Sequence, residues 1–302
     1  MDAFISHSSS DAGIAEKIRK ILSDAGLAPW LDRSLLGFGV LLRDELLAAI
    51  RASRVLVLVW SREAAKSRWV ASELLSAFHM DHFILAVRLD KTRLPQFLQN
   101  TVYLDAGRSG EQVLQNLPRA VQEAPDAANR WSRVIVNPTR EQQLASNRIA
   151  AMQREELAKL PGRPSEARKV HAEADVLLRQ AQKQWKYNSQ ILTLAGYHYK
   201  NAYLLKHWDA IEAGRPPQDA LLLRAEAKFF ETLFVNPEDP SGLNGLGNVL
   251  IFERELNAAE FFILRAIELA KRAGDVYPEA ENDLAFVRSH LPDRPPAAAS
   301  KL

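Results

Sequence analysis

The order of apolar and polar positions divides the chain into two regions. Up to about residue 122, short continuous apolar runs alternate with amphipathic stretches. The runs are "DAFIS" (2–6), "LAPWLD" (27–32), "RVLVLVW" (54–60), "HFILAVRL" (82–89) and "NTVYLD" (100–105). Between them lie "AGIAEKIRKILSDAG", with Ile14, Ile18, Ile21 and Leu22 at helical spacing and Gly26 as a stop, and "LLRDELLAAIRAS". The segment around Trp69 and Glu73 and "GEQVLQNLPRAV" also read as helices. Apolar runs without alternation are the mark of strands buried on both faces. Strand–helix alternation predicts a parallel sheet covered by helices, with ligands beyond the carboxyl ends of the strands.

From about residue 166 the pattern is helical throughout, and it repeats. Ala225, Phe229, Thr232 and Leu233 recur 34 positions later as Ala259, Ile263, Ala266 and Ile267, and small-large-small positions recur at Ala174, Leu178 and Ala181. Leu246, Gly247 and Leu250 correspond to Ala195, Gly196 and Tyr199 on a preceding helix. This spacing resembles the tetratricopeptide repeat, a helix hairpin of about 34 residues. An insertion falls around "KHWDAIEAGRPPQDA", and "AENDLAFVRSH" reads as a capping helix. The expected organisation is 1–122, an α/β domain; 123–165, a linker with a helical segment; 166–290, the repeat domain; and 291–302, a disordered tail.

Composition narrows the functions. The chain is 47% hydrophobic and 25% charged with a net charge of +2, so it can bury ordinary cores and lacks the basic footprint of a nucleic-acid binder. It has no cysteine, which excludes thiolate chemistry and suits a reducing compartment. No apolar run is long enough to span a bilayer, and "MDAFISHSSSD" lacks a signal-peptide pattern, so a cytoplasmic location and no membrane partner are expected. The terminal Ser-Lys-Leu matches a peroxisomal address, a tripeptide common by chance.

Taken together, "AFISHSSSD", "WLDRSLLGFG…LRDELLAAI", "SRVLVLVWS", "RWVASEL" and "RLP…VYLD" resemble, in order, the segments of a TIR domain. The resemblance implies a flavodoxin-like α/β fold with a five-stranded parallel sheet. It also implies one of two activities. One branch of the family cleaves the nicotinamide–ribose bond of NAD+, in bacteria as part of immune (antiphage) defence signalling. The other is a non-catalytic adaptor or scaffold. In the enzymatic branch the catalytic Glu falls at Glu73 of the "WxxxE" segment, and NAD+ is a substrate, so no cofactor is implied.

The chemistry is consistent with one carboxylate. Nicotinamide leaves a cationic pyridinium as a neutral molecule, so no acid is needed to expel it. The charge left on the ribose resembles the oxocarbenium ion of glycoside hydrolysis, and a fixed carboxylate stabilises it. Trp69 and Glu73 are i and i+4 on one helix face. The competing reading makes Trp69 a core anchor and Glu73 a solvated acid. Trp30 either stacks on the pyridinium ring or packs in the core. Asp32 bonds a ribose hydroxyl or opens a turn. Ser6, Ser8 and Ser10 precede a helix N-terminus, where hydroxyls and N–H groups suit phosphate oxygens. Asp11 reads as that helix's N-cap. The neighbours in "SHSSSD" are too close in sequence to form a hydrolytic triad.

Gly39 matches the family's loop glycine, but Val40, Leu41 and Leu42 depart from its polar character. Phe38 and Val40 are candidates for TIR–TIR self-association. His79 and His82 lack a third ligand, so no metal is expected. "GLGN" follows no strand and reads as helix packing rather than a dinucleotide loop. An unknown protein or peptide is the expected ligand of the repeats, with assembly or that ligand as the activator.

Overall fold

A computed structural model describes residues 1–31, 42–99, 101–125 and 138–291. Asp32, Gly39 and the apolar 38–41 loop lie outside the described residues, as do 126–137 and the tail from 292. Contacts divide the chain into two compact units. The first is Met1–Glu141 with Tyr187–Ser189 and Phe230–Pro237; the second holds Gln142–Lys186, Gln190–Phe229 and Glu238–Leu302.

The first unit is a five-stranded parallel sheet. Its strands are β1 (Ala3–Ser6), β2 (Pro29–Trp30), β3 (Val55–Trp60), β4 (Phe83–Arg88) and β5 (Leu104–Asp105), in the order β2-β1-β3-β4-β5. The helices are α1 (Ala12–Asp24), α2 (Leu42–Arg51), α3 (Arg68–His79), α4 (Ala106–Ser109) and α5 (Leu117–Gln122). All six residues of β3 are buried, as its unbroken apolar run requires. Alternation sorts the side chains onto two cores. Phe4, Leu56, Leu58, Ile84 and Ala86 pack with Leu46 and Ile50 of α2 and Val70 and Leu74 of α3. Ala3, Ile5, Val55, Val57, Val59 and Val87 pack with Ile18 and Leu22 of α1 and Leu117 and Val121 of α5.

Three elements differ from the sequence reading. The strands at the sheet edges shrink to two residues each. The closing helix splits into a 3-10 turn, Glu111–Asn116, followed by α5. Pro118 sits in the first turn of α5; lacking an N–H, it is tolerated there and not further inside a helix.

Seven helices follow among the described residues: α6 (Arg140–Lys159), α7 (Pro164–Gln184), α8 (Ser189–Glu212), α9 (Ala220–Val235), α10 (Pro240–Phe252), α11 (Leu256–Arg272) and α12 (Pro278–His290). α6 is the helical segment expected within 123–165, and it packs into a core. Its Ile149 meets Leu178 and Ala181 of α7 and Ile191 and Ala195 of α8. The positions repeated at 34 residues are all buried: Ala225, Phe229, Thr232, Leu233, Ala259, Ile263, Ala266 and Ile267. The glycines follow the same logic. A Cβ on Gly196 or Gly245 would strike the ring of Phe229, and one on Gly247 would strike Ile263. The inserted segment extends α8, which kinks at His207 (φ −123°, ψ 17°).

Candidate functional site

The strand order reverses direction at β1 and β3, and ligands of this topology bind in the crevice outside the carboxyl ends of those strands. Ser6 ends β1 and Trp60 ends β3. Ser67 caps the start of α3, accepting from the backbone N–H of Val70. That start places Glu73 beside β1. The Glu73 side chain is 2% exposed, and its Oε2 accepts a hydrogen bond of 2.5 Å from the Ser6 hydroxyl. The solvated-acid reading of Glu73 therefore fails. A carboxylate in that environment needs partners, and the end of β1 supplies one. Trp69 is half-buried against the core shared by α2 and α3, so its packing agrees with an anchoring role.

Trp30, at the end of β2, stacks on Phe4 with ring centroids 4.8 Å apart and planes 15° apart. One face of the indole is thus committed to the protein.

The "SHSSSD" loop is organised around Asp11. Its Oδ2 accepts from the Ser8 hydroxyl at 2.5 Å and from the Ser61 hydroxyl at 2.7 Å. Asp11 occupies the N-cap position of α1, but its side chain makes no capping hydrogen bond, because those two hydroxyls hold it. Ser61 also accepts from the backbone N–H of Ala64. Asp11 thereby ties the loop after β1 to the loop after β3, across the crevice. Ser8 is buried and Ser10 exposed. His7 is buried, with Nδ1 3.4 Å from the Ile5 carbonyl oxygen. Ser61 was missed in the sequence, although a polar residue directly after a wholly buried strand marks the ligand edge of such a sheet.

At the same carboxyl edge, toward the β5 side of the sheet, Arg88 of β4 pairs with Asp105 of β5. That hydrogen bond, against the opposing effect of burial, holds the Asp105 carboxyl below its usual range. His82 Nε2 lies 2.7 Å from the Ile50 carbonyl oxygen, a structural contact. No cluster of three or more metal-ligating side chains occurs among the described residues. No described helix is long and apolar enough to cross a membrane.

The fold and this crevice define the class: a doubly wound α/β module of flavodoxin-like strand order, followed in the chain by a helical region. Residues 3–121 match the TIR domain family, and this part of the chain is a TIR domain. The remainder is helical, in keeping with a helical repeat region. No curated protein and no solved structure gives a significant match to the chain.

Proposed function

We propose that the TIR domain hydrolyses NAD+ at the nicotinamide–ribose bond, with Glu73 as the catalytic carboxylate. The observation that carries this reading is the buried Glu73 side chain, held by Ser6 at the carboxyl end of β1. The C1′–N bond breaks and its electron pair leaves with neutral nicotinamide. The cationic ribose is stabilised by the Glu73 carboxylate. Water then adds to C1′ and releases one proton, giving ADP-ribose. The Ser6 hydrogen bond aims the carboxylate beforehand, so little reorganisation accompanies the charge change.

Substrate contacts in this reading come from Trp30, Trp69 and the Ser8–Ser10 loop, with Asp32 and Gly39 completing the set. Trp30 is stacked on Phe4 by one face, and in this reading the other face meets the pyridinium ring. TIR domains commonly self-associate, and assembly, driven by that tendency or by a partner of the helical region, is the proposed activator.

The test is release of nicotinamide from NAD+ by the purified full chain, measured across protein concentration. Turnover rising more steeply than protein concentration supports assembly-gated catalysis. Absence of turnover at every concentration and under enforced clustering would leave the adaptor function in its place.

A further inference from the structure

The helical unit holds a cavity of about 700 Å3, within the range in which proteins hold small organic ligands. Its walls come from α6, α8, α10 and the segment reaching into α12. Lys200 of α8 lies in this wall, 8% exposed. Its ammonium has three donors, and one is used, on Asn248 Oδ1 at 2.8 Å. The ring of Tyr197 lies beside it, with its centre 5.0 Å away. Burial brings this ammonium down to about 8.

The amides around it have determined orientations. Asn248 and Asn244 donate from Nδ2 to Asp283 Oδ2 at 2.7 and 3.1 Å. Asn201 donates from Nδ2 to Glu156 Oε2 at 3.3 Å. A carboxylate only accepts, so in each amide the nitrogen faces the acid and the carbonyl oxygen faces away. Asn248 uses its oxygen for Lys200. Asn244 Oδ1 and Asn201 Oδ1 have no partner, and these residues are 3% and 1% exposed. Gln190 Oε1 and Ser146 Oγ, on two further wall residues, are likewise buried and unpartnered.

Native proteins leave few such atoms unsatisfied. Water can meet them one at a time. Acceptors with set directions around an under-partnered ammonium, however, fit one molecule carrying both kinds of group. Charge narrows its class. The wall sets Lys200 and Arg154 against Asp239, Glu279 and Asp283, an excess of one negative charge. A phosphate ester or other polyanion is disfavoured there. We propose that this cavity binds a small zwitterion of the α-amino acid type. Its carboxylate meets the Lys200 ammonium, and its N–H groups meet the oxygens of Asn201 and Asn244. The volume leaves room for a side chain or a second residue. This site belongs to the helical unit and stands whether or not the TIR domain cleaves NAD+.

The experiment is calorimetric titration and thermal unfolding of the full chain with the free L-amino acids and short dipeptides, at millimolar concentration. The N-acetyl and C-amide derivatives of whichever probe binds form the second arm. At least one zwitterion is expected to bind and raise Tm, with both blocked derivatives at least about tenfold weaker. Lys200→Met is expected to lose at least about tenfold in affinity. Its unfolding midpoint without ligand is measured alongside, because removing the desolvated charge also leaves Asn248 Oδ1 without its donor. Asn244→Ala supplies an independent variant, with the same loss expected. The proposal is overturned by no binding from any probe to the folded chain, or by binding that both variants leave intact. It is also overturned by tighter binding of blocked peptides or inorganic phosphate than of any zwitterion.

Discussion

The Ser6 hydroxyl donates to Glu73 Oε2 across 2.5 Å, joining the last residue of β1 to α3. This contact spans 67 positions of sequence. It turns a glutamate that could have been a surface acid into a buried, aimed carboxylate at the ligand edge of the sheet.

Replacing Glu73 with Gln keeps the size and an oxygen for Ser6 to donate to, but removes the charge. Nicotinamide release is expected to fall by at least about 100-fold, the scale of losing one preorganised electrostatic group. Circular dichroism and the unfolding midpoint should stay close to those of the parent. Parent-like turnover by the folded variant would exclude Glu73 as the catalytic group.

Ser6→Ala removes a partner of the carboxylate without touching the carboxylate itself. A destabilisation of about 1–3 kcal/mol is expected in urea unfolding, the cost of leaving a buried polar group short of a hydrogen bond. The positioning role predicts a lower kcat with little change in KM. A variant in which KM alone rises would assign Ser6 to substrate binding instead.

In the helical unit, the ring of Phe229 fills the space that Gly196 and Gly245 leave by having no side chain. Gly245→Ala should cost about 1–3 kcal/mol by overpacking. Phe229→Ala should cost about 3–5 kcal/mol by opening a cavity. Chemical denaturation of the single variants and the double variant reads both. The double variant should fall short of the sum, since the smaller ring position relieves the clash.

A pH dependence follows from His198, which stacks on His171 with centroids 4.0 Å apart and planes 4° apart, and lies 3.2 Å from Asp175 Oδ1. Burial, and then the neighbouring His171, bring His198 from 6.5 down to about 4, against the pull of Asp175. The unfolded chain takes up a proton near the ordinary value that the folded chain takes up only near the lowered one. Stability contributed by this group is therefore complete above the ordinary value and falls as pH drops through the window between the two. Urea midpoints measured above and inside that window should show the decline. His198→Phe should flatten it; an unchanged slope would assign the decline to other groups.

Much of the architecture is written in local pattern. The unbroken run of β3 reports burial on both faces, and the 34-residue offset reports which helix positions meet a neighbour. The first depends only on residues near in sequence, and the second is a repeat that can be read along the chain without its folded contacts. "WxxxE" likewise marked Glu73, though not whether it faces water. The cavity left no comparable trace. Lys200, Asn201, Asn244, Asn248 and Asp283 are ordinary polar residues of helices, and only packing turns them toward one space.

Asp11 shows the limit well. Its place before α1 reads as an N-cap, and it stands there, but Ser8 and Ser61 take its carboxylate. Periodicity and turn chemistry determined the strands and most helices, because those signals arise within a few residues. Tertiary structure alone decided that Ser6 meets Glu73, that Ser61 meets Asp11 and that α6 joins a core. Such partners are distant in the chain, and burial makes each polar side chain bond whichever group folding brings within reach.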